Sequence, residues 1–174
     1  MNKLIIHDLG DDRDEYLGNI FAAETDKVNY VSESGDIYIC TGCFGCWVRT
    51  PGKCVNIDGY HDMSERLRDA DELIIVSQCV YGGFSSFVKN VMDRSIGYMH
   101  PYFEKRKGGM HHKMRYKKVL DTSVYFYGDI NEREMETGRK YIDAVGVNFN
   151  FKIKGVHFSK DANGISKESE VQTK

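Results

Sequence analysis

The residues Leu73-Ile74-Ile75-Val76 form an unbroken apolar run, and Leu4-Ile5-Ile6 form a second, shorter one. A strand with one wet face alternates polar and apolar side chains, so a continuous run marks a strand covered on both faces. A sheet with helices on either side supplies that cover. Each run is followed by a helical pattern. After the first, a short helix fits roughly Asp14–Ala23. After the second, Phe84, Phe87, Val88, Val91 and Met92 recur at i, i+3, i+4, i+7 and i+8, which places them on one helix face.

The alternation continues along the chain. Lys27–Ser32 reads as a strand, and Asp36–Cys40 as a second short extended piece. Cys40–Gly59 is a loop punctuated by Gly42, Gly45, Pro51 and Gly52. Asp62 with Glu65 has the spacing of a capping box and opens a helix through Met63, Leu67 and Ala70. Met99–Lys118 is a long, basic, irregular excursion. Val119–Phe126 is strand-like, Asn131–Val145 helical with Met135, Ile142 and Val145 on one face, and Phe149–Phe158 strand-like again. The order predicts a doubly wound α/β domain over residues 1–158, built on a five-stranded parallel sheet. A polar tail, 159–174, follows it.

With 41% apolar and 29% charged residues among 174 and a net charge of −2, nothing favours nucleic acid or a membrane surface as partner. There is no apolar run of membrane-spanning length, and the first apolar stretch is too short for a signal peptide, so a cytoplasmic protein is expected. In a reducing compartment, clustered cysteines point to metal, redox chemistry or buried thiols before disulfides. Four of the five cysteines stand as Cys40-x2-Cys43-x2-Cys46-x7-Cys54; the fifth is Cys79. Four thiolates so spaced can hold a [4Fe–4S] cluster or, in principle, zinc. They can also form a redox disulfide, or line the loop as small buried hydrophobes.

In open α/β sheets, ligands sit beyond the carboxyl ends of the strands. The loop after the central strand is Gln78, Cys79, Val80, Tyr81, Gly82, Gly83 and Phe84, which brings two glycines for close backbone approach and two aromatic rings. Gly10, after the first strand, and Tyr127 with Gly128, after the fourth, complete the expected mouth.

Here the residues carry a resemblance. Ile74-Ile75-Val76-Ser77, Val80-Tyr81-Gly82-Gly83-Phe84-Ser85 and Lys89-Asn90-Val91-Met92-Asp93-Arg94 resemble the flavin-ring segment of the NAD(P)H-dependent FMN reductase family. Cys40-Thr41-Gly42-Cys43-Phe44-Gly45-Cys46-Trp47, Thr50-Pro51-Gly52-Lys53-Cys54 and Gly109-Met110-His111-His112-Lys113 resemble one branch of it, and the cysteine spacing is similar to that of iron–sulfur flavoproteins. The resemblance covers roughly Cys40–Phe126. It implies a flavodoxin-like fold with strand order 2-1-3-4-5, FMN at the loops named above and NAD(P)H as donor. The acceptor it implies is small: a quinone, free flavin or nitro compound. The flavin ring carries such chemistry itself, so no catalytic acid or base is nominated. An iron–sulfur flavoprotein for electron transfer is one alternative. A cofactor-free scaffold or subunit is another.

Two departures matter. The loop matching the family's phosphate site, His7-Asp8-Leu9-Gly10-Asp11-Asp12-Arg13-Asp14-Glu15, holds five carboxylates, one arginine and no serine or threonine. Like charges ~4 Å apart repel by about 4 kcal/mol at an effective dielectric near 20. Only about 1.4 kcal/mol is a tenfold loss of affinity. FMN binding is therefore expected to suffer. The first helix is also short, and no amphipathic helix follows the last strand. Right-handed crossovers put both reduced elements on one sheet face. A second copy of the chain, or the Met99–Lys118 excursion, is expected to cover that face.

Overall fold

A computed structural model describes residues 1–166. Its strands and helices run β1 (Asn2–His7), α1 (Asp14–Phe21), β2 (Lys27–Val31), α2 (Gly45–Val48), α3 (Met63–Asp69), β3 (Glu72–Gln78), α4 (Ser86–Arg94), β4 (Met99–Arg106), β5 (Gly109–Met114), β6 (Leu120–Tyr127), α5 (Glu132–Phe149) and β7 (Phe151–Ser159). Five strands form one parallel sheet in the order β2-β1-β3-β6-β7, which is 2-1-3-4-5 once β4 and β5 are set aside. The flavodoxin-like topology expected from the alternation is therefore present. No helix among the described residues is long and apolar enough to cross a membrane.

Strand alternation divides the core in two. Leu4, Ile6, Leu73, Ile75, Val124 and Phe126 face α3, α4 and α5, where Met63, Leu67, Phe87, Val88, Val91 and Ile142 complete the larger cluster. Ile5, Ile74, Val76 and Tyr125 face the other way, onto Leu17 and Phe21 of α1. Ser85 caps α4 by accepting the Val88 N–H at 3.4 Å, and Asn131 with Glu134 makes a reciprocal capping box on α5, both bonds 3.1 Å. The box expected at Asp62 and Glu65 is not made. Asp62 has φ −103° and ψ 16° rather than the extended backbone of an N-cap, so its carboxylate turns to the Arg66 Nε at 2.8 Å, and Glu65 pairs with Lys53 at 3.0 Å.

Two other expectations are corrected. Asp36–Cys40 joins no strand, because its polar backbone is satisfied by side chains. The Tyr38 N–H donates to Asp58 at 3.1 Å, the Cys40 N–H donates to Asn90 Oδ1 at 3.0 Å, and the Tyr38 carbonyl accepts from Asn90 Nδ2 at 3.2 Å. Met99–Lys118 is not irregular but contains the antiparallel hairpin β4–β5. Lys107 and Gly108 turn it with φ of 46° and 80°, the two positive values that a tight primed hairpin turn demands.

The hairpin does not cover the α1 face, because Met114 and Tyr116 pack into the cluster on the opposite side. The α1 face is covered in part by other groups. Over its carboxyl half, Ile165 lies 3% exposed against the α1 cluster, although it belongs to the polar tail. At its amino edge the strands carry charge instead of apolar groups. Lys3 donates to Glu72 at 2.6 Å and to the Phe21 carbonyl at 2.9 Å, and Lys152 and Lys154 lie 3.9 and 3.6 Å from Asp121. The rest of the tail, residues 167–174, lies outside the described residues.

Candidate functional site

The carboxyl ends of β1, β3 and β6 meet at Asp8. One of its carboxylate oxygens accepts the Gln78 N–H at 2.9 Å, and the other accepts the Tyr127 hydroxyl at 3.0 Å. Burial, reinforced by the Asp8 charge, pushes the Tyr127 phenol up, so it stays a donor. Behind Asp8, His7 is fully buried; its Nδ1 accepts the Leu9 N–H at 3.4 Å, which leaves Nε2 to donate to Asp14 at 2.8 Å. The Arg13 guanidinium is turned away, over the Tyr16 ring at 5.5 Å and toward Asn163 Oδ1 at 3.3 Å. The structure thus brings together Gln78, Tyr127 and the Gly10-bearing loop, as the sequence suggests, but around an internal carboxylate.

The β3–α4 loop is a tight turn. Val80 and Gly83 exchange both backbone hydrogen bonds, at 3.0 and 2.9 Å, across Tyr81 and Gly82 at φ 53° and 82°. The turn lifts Tyr81 into solvent, 87% exposed, with Val80 beside it. Cys79 continues the sheet, its N–H donating to the Tyr127 carbonyl at 2.9 Å, and the Gly128 N–H donates to the Ser159 carbonyl at 3.1 Å. Phe84 departs from the expected set. It is buried against Phe126 and Tyr141, with ring centroids 5.6 and 5.2 Å away, and offers no face to a ligand. It stands one residue before the Ser85 cap of α4, outside the helix, and packs from the loop into the larger core cluster.

The cysteine loop forms a second centre. Cys40, Cys43, Cys46 and Cys54 all line one cavity of about 50 Å³, closed by Phe44, Val55 and Ile96. Burial, followed by the neighbouring thiols of Cys54 and Cys40, pushes the Cys46 thiol up to about 11. Arg94, at the end of α4, holds the loop in place: it donates to Asp58, to the Asn56 carbonyl at 3.0 Å and to the Tyr38 carbonyl at 3.3 Å. Trp47 ties the loop to the hairpin. Its Nε1 donates to the Ile96 and Met99 carbonyls at 3.2 and 2.9 Å, and its ring stacks on Phe44 and tilts against His112. The cysteine motif and the His111-His112 motif, far apart in sequence, therefore meet in one place. A wider cavity of about 570 Å³ shares Cys40, Gly42, Asp93 and Ile96 with the cysteine cavity and runs on between α4 and α5 to Tyr141 and Phe149.

Each implied cofactor can be tested against these residues. Four cysteines line the one cavity, the residue set that a four-iron cluster takes. Among the described residues no group of three or more His, Cys, Asp or Glu is drawn together closely enough to hold a metal ion. At the strand mouth the phosphate fits poorly: Asp8 puts a carboxylate on the Gln78 N–H and the Tyr127 hydroxyl, and the one arginine of the β1–α1 loop points elsewhere. Asp8 and Arg94 are the site residues that sequence reading did not single out. The acidic loop signalled the first. The Asp93-Arg94 helix end signalled the second, without showing what the arginine grips.

These features define a flavodoxin-like α/β protein with a four-cysteine loop. No protein-family model matches the chain. Among characterised proteins it is similar to an iron–sulfur flavoprotein of Methanocaldococcus jannaschii, 32% identical over 78 residues, which are 44% of this chain and 39% of the relative. It is also similar to an iron–sulfur flavoprotein of Archaeoglobus fulgidus, 28% identical over 85 residues, 46% of this chain and 41% of the relative. The match thus spans about two-fifths of the length of these curated relatives. Among solved structures, an azoreductase superposes with a TM-score of 0.61 at 10% identity over 91% of this chain and 87% of its own. An FMN-dependent NADH-azoreductase from Bacillus anthracis, in complex with FMN, gives 0.53 at 12% identity over 98% and 91%. Likeness at these identities shows the fold.

Proposed function

We propose that this chain is an electron-transfer protein of the iron–sulfur flavoprotein type, with Cys40, Cys43, Cys46 and Cys54 as ligands of a [4Fe–4S] cluster. The observation that carries the reading is that all four cysteines line one cavity. Thiolates brought to one cavity repel one another, and the positive iron charge of a bound cluster would relieve that repulsion. When bound, the cluster supplies one-electron steps. The protein's part is to hold the loop rigid through Arg94 and Trp47 and to shield it with Phe44 and Ile96. A small acceptor of the quinone, flavin or nitro class reaches Cys40 through the adjoining 570 Å³ cavity. In this reading a flavin ring, reduced by a nicotinamide, lies against the Val80–Gly83 turn. A second copy of the chain closes the α1 face over β6 and β7, where no α-helix among the described residues follows β7.

The test is iron and acid-labile sulfide in protein purified without oxygen, with electron paramagnetic resonance after reduction. About four irons per chain and a reduced-cluster signal, both lost in Cys46→Ser, support the reading. Iron-free protein after reconstitution with iron and sulfide overturns it. The second reading, a cofactor-free subunit, draws on Asp8 occupying the strand mouth; it requires absence of both iron and flavin.

A further inference from the structure

We propose that the strand mouth selects a flavin lacking its terminal phosphate, riboflavin rather than FMN, and that Asp8 makes the selection. The proposal rests on the reading above only in taking the Val80–Gly83 turn as a flavin-ring site. Polarity is what argues for it. A phosphate needs donors, and the Gln78 N–H and the Tyr127 hydroxyl at the mouth already serve the Asp8 carboxylate at 2.9 and 3.0 Å. The positive end of the β1–α1 turn faces Asp11, Asp12, Asp14 and Glu15, and Asp14 is fixed there by His7 at 2.8 Å. The only cation of the loop, Arg13, is drawn off to Asn163 and Tyr16. An incoming dianion therefore meets charge repulsion from these carboxylates.

A ribityl chain is complementary to the same groups. Its hydroxyls donate, and ionised carboxylates only accept. Asp8 has spare lone pairs beside the bonds it already makes, since each carboxylate oxygen accepts more than one hydrogen bond. The residues that would disfavour FMN are therefore the ones that would bind the sugar alcohol of riboflavin.

Flavin fluorescence titration of the full chain with riboflavin and with FMN tests this. Riboflavin is expected to bind about tenfold or more tighter, a difference of about 1.4 kcal/mol or more. Asp8→Asn is expected to shrink that ratio, and Asp129→Asn, on the neighbouring loop, to leave it unchanged. Added salt, which screens the carboxylates, is expected to raise FMN affinity without moving that of riboflavin; this readout needs no variant. FMN binding as tight as riboflavin in the native chain, or a preference untouched by Asp8→Asn and by salt, overturns the proposal. Absence of binding by either flavin overturns it together with the ring-site premise. Iron content reports on the cluster independently, so the two failures are told apart.

Discussion

The guanidinium of Arg94 donates to the carboxylate of Asp58, and both side chains are withdrawn from solvent, Arg94 completely and Asp58 to 8% exposure. The pair joins the end of α4 to the far side of the cysteine loop. Asp58 also accepts the N–H groups of Tyr38 and, in its own turn, Tyr60, at 3.1 and 2.9 Å, so one carboxylate ties the Tyr38 stretch and the end of α4 to the close of the cysteine loop. Asp58→Asn leaves the arginine buried without its counter-charge. The expected cost is about 3–5 kcal/mol in urea unfolding, with lower iron incorporation as the loop loosens.

Burial alone would raise the Asp58 carboxyl, but the Arg94 hydrogen bond and the two backbone donors outweigh it and hold it below the ordinary range. Its stabilising contribution is present above the unfolded carboxylate value of about 3.9 and is lost as pH falls through the folded value. Urea midpoints measured down to acid pH should drop in that window, and less steeply in Asp58→Asn.

His7 gives a second pH dependence nearer neutrality. Burial pushes its pKa down, against the opposing pull of Asp14. The folded chain therefore keeps His7 neutral where the unfolded chain takes a proton. Stability is complete above the unfolded value of about 6.5 and declines as pH falls from there toward the folded value. His7→Gln should flatten this part of the profile while lowering stability at pH 8 by about 1 kcal/mol, the value of an ordinary hydrogen bond.

In cluster-free protein the thiols should react unequally. Cys43 is exposed, and Cys46 is partly buried with its thiol pushed up to about 11. Iodoacetamide at pH 8 is expected to modify Cys43 first and Cys46 last, read by peptide mass spectrometry. Cluster-loaded protein should protect all four together.

Gly82→Ala tests the turn that presents Tyr81. Its φ of 82° is unfavourable to a side chain, and an added Cβ would stand 2.6 Å from the Thr137 Cβ and 2.9 Å from the Glu134 carbonyl oxygen. A loss of about 2 kcal/mol or more in thermal unfolding is expected, combining backbone strain and overpacking. Ile165→Ala should cost about 2–3 kcal/mol despite its place in a polar tail, because it fills the α1 cluster.

Much of this protein was readable from its sequence. The doubly wound sheet followed from Leu4-Ile5-Ile6 and Leu73-Ile74-Ile75-Val76, since a run apolar at every position leaves a strand only a two-sided burial. Helix periodicity located α4 and α5, and the cysteine spacing marked the loop that carries them. These are local signals, fixed by repeats of two and 3.6 residues and by ligand spacing. The hairpin was missed because its signal, Lys107-Gly108 between short basic strands, carries little apolar alternation. Ile165 was missed because one apolar residue has no period.

What only the tertiary structure decided is which groups face one another. It turned Phe84 into the core, set Arg94 on Asp58, gathered four thiols at one cavity and laid Asp8 across the ends of β3 and β6. Composition had shown an acidic loop without saying where it points. Electrostatic interaction depends on distance and burial, and neither is defined along a chain until strands far apart in sequence lie side by side.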